Sequence, residues 1–161
     1  VTDRSFATVL ENCTLVTIQN QLVSHSSDLP TLGNAYLPEL QIDLGALVLI
    51  NSIGVRQFQN WIGGIECDNI KLLYCTPIFV HQLNLVHKFL PSHCKVESFF
   101  VPYYSETSME EKLVLYNRNV EFEWGGGELV LNKPFVLDSS GLPMEIDVQS
   151  DRYFDFLKEY F

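Results

Sequence analysis

The chain has no apolar run approaching the roughly 20 residues that a membrane-spanning helix needs, and it is poor in positive charge. Ten Lys and Arg stand against twenty Asp and Glu, a net charge of −10. The deficit is uneven: residues 1–104 carry five basic and eight acidic residues, residues 105–161 five and twelve. A chain this acidic, with no basic stripe, is repelled by nucleic-acid phosphates and anionic lipid. Nucleic-acid binding and membrane insertion are therefore not expected, and basic protein surfaces are the natural partners. Cysteine is scarce and unpatterned. Cys13, Cys67, Cys75 and Cys94 show no paired spacing, and Val1-Thr2-Asp3-Arg4 lacks the basic-then-apolar pattern of an export signal. Both features point to reduced thiols in a cytoplasmic protein.

Catalytic motifs are missing as well. No glycine-rich phosphate loop, paired-carboxylate motif or HExxH helix occurs, and Gly125-Gly126-Gly127 suits a hairpin turn better than a nucleotide cradle. Cys75, His81 and His87 are spaced six apart, so nothing orients a base toward the thiol. The expectation is no catalytic residue, no metal and no cofactor.

What is present is core-forming material. The 161 residues are 47% apolar and include eleven Phe, enough for one compact domain or a domain with a small appendage. Phe6–Leu10 and Cys13–Ile18 read as two strands joined by a tight turn. Ser24 to Pro38 is a polar loop holding at most a short helix from Pro30 to Tyr36. Leu40–Ile50 reads as one strand apolar on both faces, suited to the centre of a covered sheet. Val55, Phe58, Trp61, Ile62 and Ile65 then recur at helical spacing over Gly54–Ile65. Ile70–Tyr74 is a strand, Phe79, Leu83, Val86 and Leu90 mark a helix from Pro77 to Pro91, and Lys95–Tyr103 is a further strand. Helices at two crossovers imply a largely parallel sheet, hence an α/β class. Beyond Tyr104, Leu113–Tyr116, Val120–Trp124, Glu128–Leu131 and Phe135–Leu137 suggest a small β-meander, closed by a helix over Asp151–Phe161.

The stretch from Leu40 to Arg56 carries the most information. An apolar run stops at Asn51-Ser52-Ile53-Gly54 and a helical pattern begins at once. Ser52 thus lies where unpaired backbone N–H groups favour an anionic group. It can be a turn or capping residue, a phosphate acceptor, or part of a docking surface. Arg56, Gln57, Gln59 and Asn60 follow on the polar face of the helix.

Asp43-Leu44, the apolar run and Asn51-Ser52-Ile53-Gly54-Val55 resemble the "DLS…DSSG" segment of STAS domains, the fold of anti-sigma factor antagonists. The order of elements from about residue 5 to 101 is similar too. In that family the first serine of the turn is a regulatory phosphorylation site, which corresponds to Ser52. Two departures stand out: Asn51 replaces the usual Asp, and Ile53 replaces a second Ser or Thr. The resemblance implies a STAS-like domain over 1–104 that binds a protein partner such as an anti-sigma factor or switch kinase. Asn51, Ser52, Ile53, Gly54, Arg56, Gln57 and Asn60 would form the contact surface.

The remaining segment resembles a ribbon. A bacterial group of STAS-like proteins continues with "PYYC..C", a hairpin and "C..CG..MEFD…YF.FL". Here the corresponding stretches are Val101-Pro102-Tyr103-Tyr104-Ser105-Glu106-Thr107-Ser108, Leu137-Asp138-Ser139-Ser140-Gly141-Leu142-Pro143-Met144-Glu145-Ile146-Asp147 and Tyr153-Phe154-Asp155-Phe156-Leu157. The four zinc-ligand positions become Ser105, Ser108, Leu137 and Ser140, none of which is a tetrahedral zinc donor at neutral pH. The resemblance thus implies a degenerate, metal-free ribbon over 105–161. Tyr103, Tyr104, Phe122, Trp124, Tyr153 and Phe156 are candidates to replace the metal by packing. Two rival functions stand beside partner binding: a STAS subunit of a larger transport or sensor complex, and a small-ligand sensor with loop 24–38 as a lid.

Overall fold

The structure is a computed structural model and describes residues 4–22, 29–33 and 37–161. It is a mixed α/β protein with a five-stranded, mostly parallel sheet and smaller antiparallel sheets in the C-terminal half.

The main sheet is built from β1 (Phe6–Val9), β2 (Thr14–Thr17), β4 (Leu40–Asp43), β6 (Ile70–Leu73) and β7 (Cys94–Val96), in that spatial order. β1 and β2 form an antiparallel hairpin, and every later pairing is parallel. Register explains the core. Thr14, Leu40, Ile70 and Cys94 form one cross-strand row and Val16, Ile42, Leu72 and Val96 another, and all eight are buried. The alternate positions Gln41, Lys71 and Lys95 stay partly or fully exposed. The sheet is therefore covered on one face only, as period-2 alternation dictates, which corrects the reading of a strand buried on both sides.

The apolar run 40–50 is not one strand. β4 ends at Asp43, whose Oδ1 accepts from the Gly45 amide at 2.8 Å and turns the chain. The run resumes as β5 (Leu49–Ile50), which pairs in parallel with β3 (Gln21–Leu22) in a separate two-stranded ribbon. The loop expected over 24–38 lies outside the described residues at 24–28 and 34–36. From Pro30 to Gly33 no helix forms.

Two helices pack together over the sheet. α1 (Ser52–Gly63) and α2 (Pro77–Leu85) meet through Phe58 and Phe79, with ring centroids 5.3 Å apart, and Phe89 joins both rings. Burying one such ring contributes about 1.5–3 kcal/mol. α2 stops six residues short of Pro91, since Val86 is already extended and Lys88 takes a φ of 52°.

The expected strand 95–103 is two strands. β7 breaks at Glu97, and β8 (Ser98–Ser105) continues into a three-stranded antiparallel sheet ordered β12 (Glu145–Ile146), β8, β9 (Glu110–Asn117). The expected segment 113–116 belongs to β9 and pairs with β8 rather than with a meander. β10 (Phe122–Gly125) and β11 (Glu128–Leu131) form a hairpin whose two-residue loop, Gly126-Gly127, has positive φ at both positions, as the favoured hairpin turn requires. The expected strand 135–137 is reduced to a single bridge between Leu137 and Pro143.

The terminal helix is interrupted. Two helical turns, α3 (Ser150–Tyr153) and α4 (Leu157–Tyr160), are separated by a bend that Asn84 of α2 holds. Its Nδ2 donates to the Tyr153 carbonyl at 2.9 Å and its Oδ1 accepts from the Phe156 amide at 2.8 Å. Phe154, Phe156, Leu157 and Tyr160 thereby enter the same buried cluster as the parallel sheet. Arg118 completes the seam: it lies 3.3 Å from the Glu97 carboxylate, donates to the Val96 carbonyl and stacks 4.1 Å from the Phe161 ring centroid. Among the described residues no helix is long and apolar enough to cross a membrane.

Candidate functional site

The α1 turn is organised by Asn51. Its backbone is extended, and its Oδ1 accepts from the amides of Ile53 and Gly54, both at 3.0 Å. This is N-capping, and it satisfies two of the donors a helix start leaves unpaired. Asn51 is thus the cap and Ser52 the first helical residue, so the helix starts two residues earlier than its apolar pattern suggests. No acidic residue lies in the first turn.

Of the residues expected to form the contact surface, Asn51, Ser52, Arg56 and Asn60 are exposed, and Ile53 and Gln57 are half-buried. Ser52, Ile53, Arg56, Gln57 and Asn60 line one concavity of about 300 Å³. Gly54 faces the other way. A Cβ there would lie 1.8 Å from the Leu22 carbonyl oxygen, so only glycine lets α1 approach β3 this closely. Trp61, further along, donates its indole N–H to the Pro30 carbonyl at 2.8 Å and so ties the described part of the preceding loop beside α1.

The four ribbon positions lead to a residue the sequence did not single out. Ser105 Oγ and Ser108 Oγ both donate to Asp138 Oδ2 at 2.7 Å, and the amides of Ser140 and Leu142 donate to Oδ1 at 2.9 Å. Leu137 takes no side-chain part; its carbonyl accepts from Lys112 Nζ. Asp138 is near the protein surface yet only 6% exposed. The Ser105 hydroxyl above all, then the Leu142 amide and the Ser108 hydroxyl, hold its carboxyl well below the usual carboxylate range. The available signal was local: Asp138-Ser139-Ser140-Gly141 is a turn sequence in which an aspartate caps its own loop. Among the described residues no group of three His, Cys, Asp or Glu converges as a metal site would require.

The aromatic packing of this half centres on Phe99, whose ring meets Tyr116, Phe122, Phe154 and Phe156 at 5.1–6.0 Å. Of the aromatics expected there, Tyr103 hydrogen-bonds Tyr116 at 2.7 Å and Tyr153 donates to the Phe100 carbonyl, while Tyr104 and Trp124 lie nearer the surface.

Cys75, Cys67 and Cys94 are buried. Burial pushes the Cys94 thiol up to about 12 and the Cys75 thiol upward too, which opposes thiolate chemistry. His81 and His87 are exposed on or beside α2.

Comparison with protein-family models, with curated proteins and with solved structures finds no match to the chain.

Proposed function

We propose that this is a cytoplasmic, non-enzymatic regulatory protein of STAS-like type, acting by protein–protein contact in the manner of an anti-sigma factor antagonist. The observation that carries the reading is the start of α1. A capped turn leaves the Ser52 hydroxyl exposed on a concave surface shared with Arg56, Gln57 and Asn60. The antiparallel hairpin followed by parallel strands and two helices on one face is consistent with it. A phosphate on Ser52 would add nearly two negative charges, which a helix N-terminus tolerates but an apposed protein surface would not. That supplies a switch: the unmodified turn docks, and the phosphorylated turn does not.

Affinity capture with wild-type and Ser52→Asp bait tests this. A specific protein retained by wild-type and lost from Ser52→Asp, with unchanged circular dichroism, is the expected result. Equal retention by both baits would overturn it.

A further inference from the structure

The concavity at Ser52 does not end at α1. It adjoins a second of about 320 Å³ that shares Ser52 and Arg56 with it and extends to Leu85 and Val86 at the end of α2. Leu85, 67% exposed, also lines a third and larger cavity of about 640 Å³, bounded by Pro77, His81, Val148, Arg152 and Tyr153. We propose that these form one groove for an extended acidic segment of a protein partner, running from the Ser52–Arg56 end of α1 across α2 to Arg152. The inference rests on the docking reading above and extends it to a binding path and a ligand chemistry.

Charge carries the argument. Lys71, Lys112, Arg118 and Lys158 each lie within 3.3 Å of a carboxylate, so four of the chain's ten Lys and Arg are neutralised internally. Arg56 and Arg152, like Lys88, Lys95 and Lys133, have no ion-pair partner among the described residues, but only these two arginines line the groove. The one carboxylate in its lining, Asp155, is held by Lys158 at 2.6 Å. The net charge of −10 favours basic partners for the molecule as a whole, but the lining of this groove is locally cationic and complementary to Asp and Glu.

Neutral groups favour a peptide over a compact anion. The side chains of Gln57, Gln59, Asn60, Gln82 and Gln149 line the path without a side-chain hydrogen bond among the described residues. Each carboxamide offers both a donor and an acceptor, matching the alternating N–H and C=O of an extended backbone. Leu85 offers an apolar foothold midway and Tyr153 another beside Arg152. A second copy of the chain is a poorer occupant, because it would bring a whole molecule of net charge −10 and not one short acidic segment against the acidic remainder of the surface.

The test pans the intact chain against displayed ten-residue peptides, then measures fluorescein-labelled selected peptides by anisotropy. Selected sequences should place Asp or Glu on either side of an apolar residue. R56E and R152E should each lower affinity about tenfold or more, and added salt should weaken binding. Circular dichroism checks that these surface variants fold. Loss in R56E but not in R152E or Leu85→Ser would overturn the groove while leaving docking at α1 standing. Selection without acidic enrichment would overturn the groove's ligand chemistry. So would concentration-dependent dimerisation abolished by R152E, which would make a second copy the occupant.

Discussion

Two turns solve the same problem with different chemistry. At the start of α1, Asn51 accepts two backbone amides with one neutral oxygen, and the neighbouring Ser52 hydroxyl stays exposed. In the C-terminal half, Asp138 accepts two amides and also both nearby serine hydroxyls, so one carboxylate ties the 105–108 loop to the 138–142 loop. A hydroxyl consumed internally is structural, whereas one left open beside a cap is available to a partner or a modifying enzyme. The contrast separates the serines of this chain more clearly than their sequence neighbours do.

The largest effect tests what lies beneath the first turn. Gly54→Ala should destabilise the protein by about 3 kcal/mol, because the added carbon collides with the Leu22 backbone and not with a movable side chain. Urea denaturation should show a lowered midpoint.

Asp138→Ala comes next. It strands two hydroxyls and two amides at once, and its urea midpoint should fall further than that of Asn51→Ala. Its pH dependence has a definite sign. The folded carboxyl titrates below its unfolded value of about 3.9, so its stabilisation is complete above that pH and is lost as pH falls toward the folded value. Wild-type should therefore lose stability on acidification below about pH 4 more steeply than Asp138→Asn.

The Asn51 cap is smaller. Asn51→Ala should cost about 1 kcal/mol, and Asn51→Asp should stabilise α1 by about 0.3–1 kcal/mol through the helix dipole. Thermal melts would order the three proteins. Smallest of all, Ser52→Ala should change stability by less than about 0.5 kcal/mol, as an exposed first-turn residue should. If it proved as costly as Asn51→Ala, the distinction between the two turns would collapse.

Much of the fold was legible because it obeys local rules. The strands Ile70–Leu73 and Glu128–Leu131, the glycine hairpin and the Pro77 helix start follow from periodicity and turn chemistry. The misreadings have distant or subtle causes. The run 40–50 looked continuous because Leu44, Leu47 and Ile50 are all buried, yet the Asp43–Gly45 hydrogen bond and the Leu44–Leu47 backbone turn split it. The terminal helix looked continuous because its interruption is held by Asn84, about seventy residues away. β12 escaped notice because its two residues are strand only by pairing with Tyr103 and Tyr104. At the site, Ser52 and its polar neighbours were visible from spacing. Asp138 was visible only as a local turn with Ser140 and Leu142, since its hydroxyl partners Ser105 and Ser108 lie some thirty residues earlier.

The break at Glu97 gives the molecule one more property. A single backbone runs from the edge of the parallel sheet into the middle of the antiparallel one, with Cys75 hydrogen-bonded on the far side of the junction to Ser98 and Phe100. A displacement of β9 or β12 would be passed through β8 to Cys75, just past the end of β6, and to the floor beneath α2. The two sheets are therefore mechanically in series, and a load on one is felt by the other.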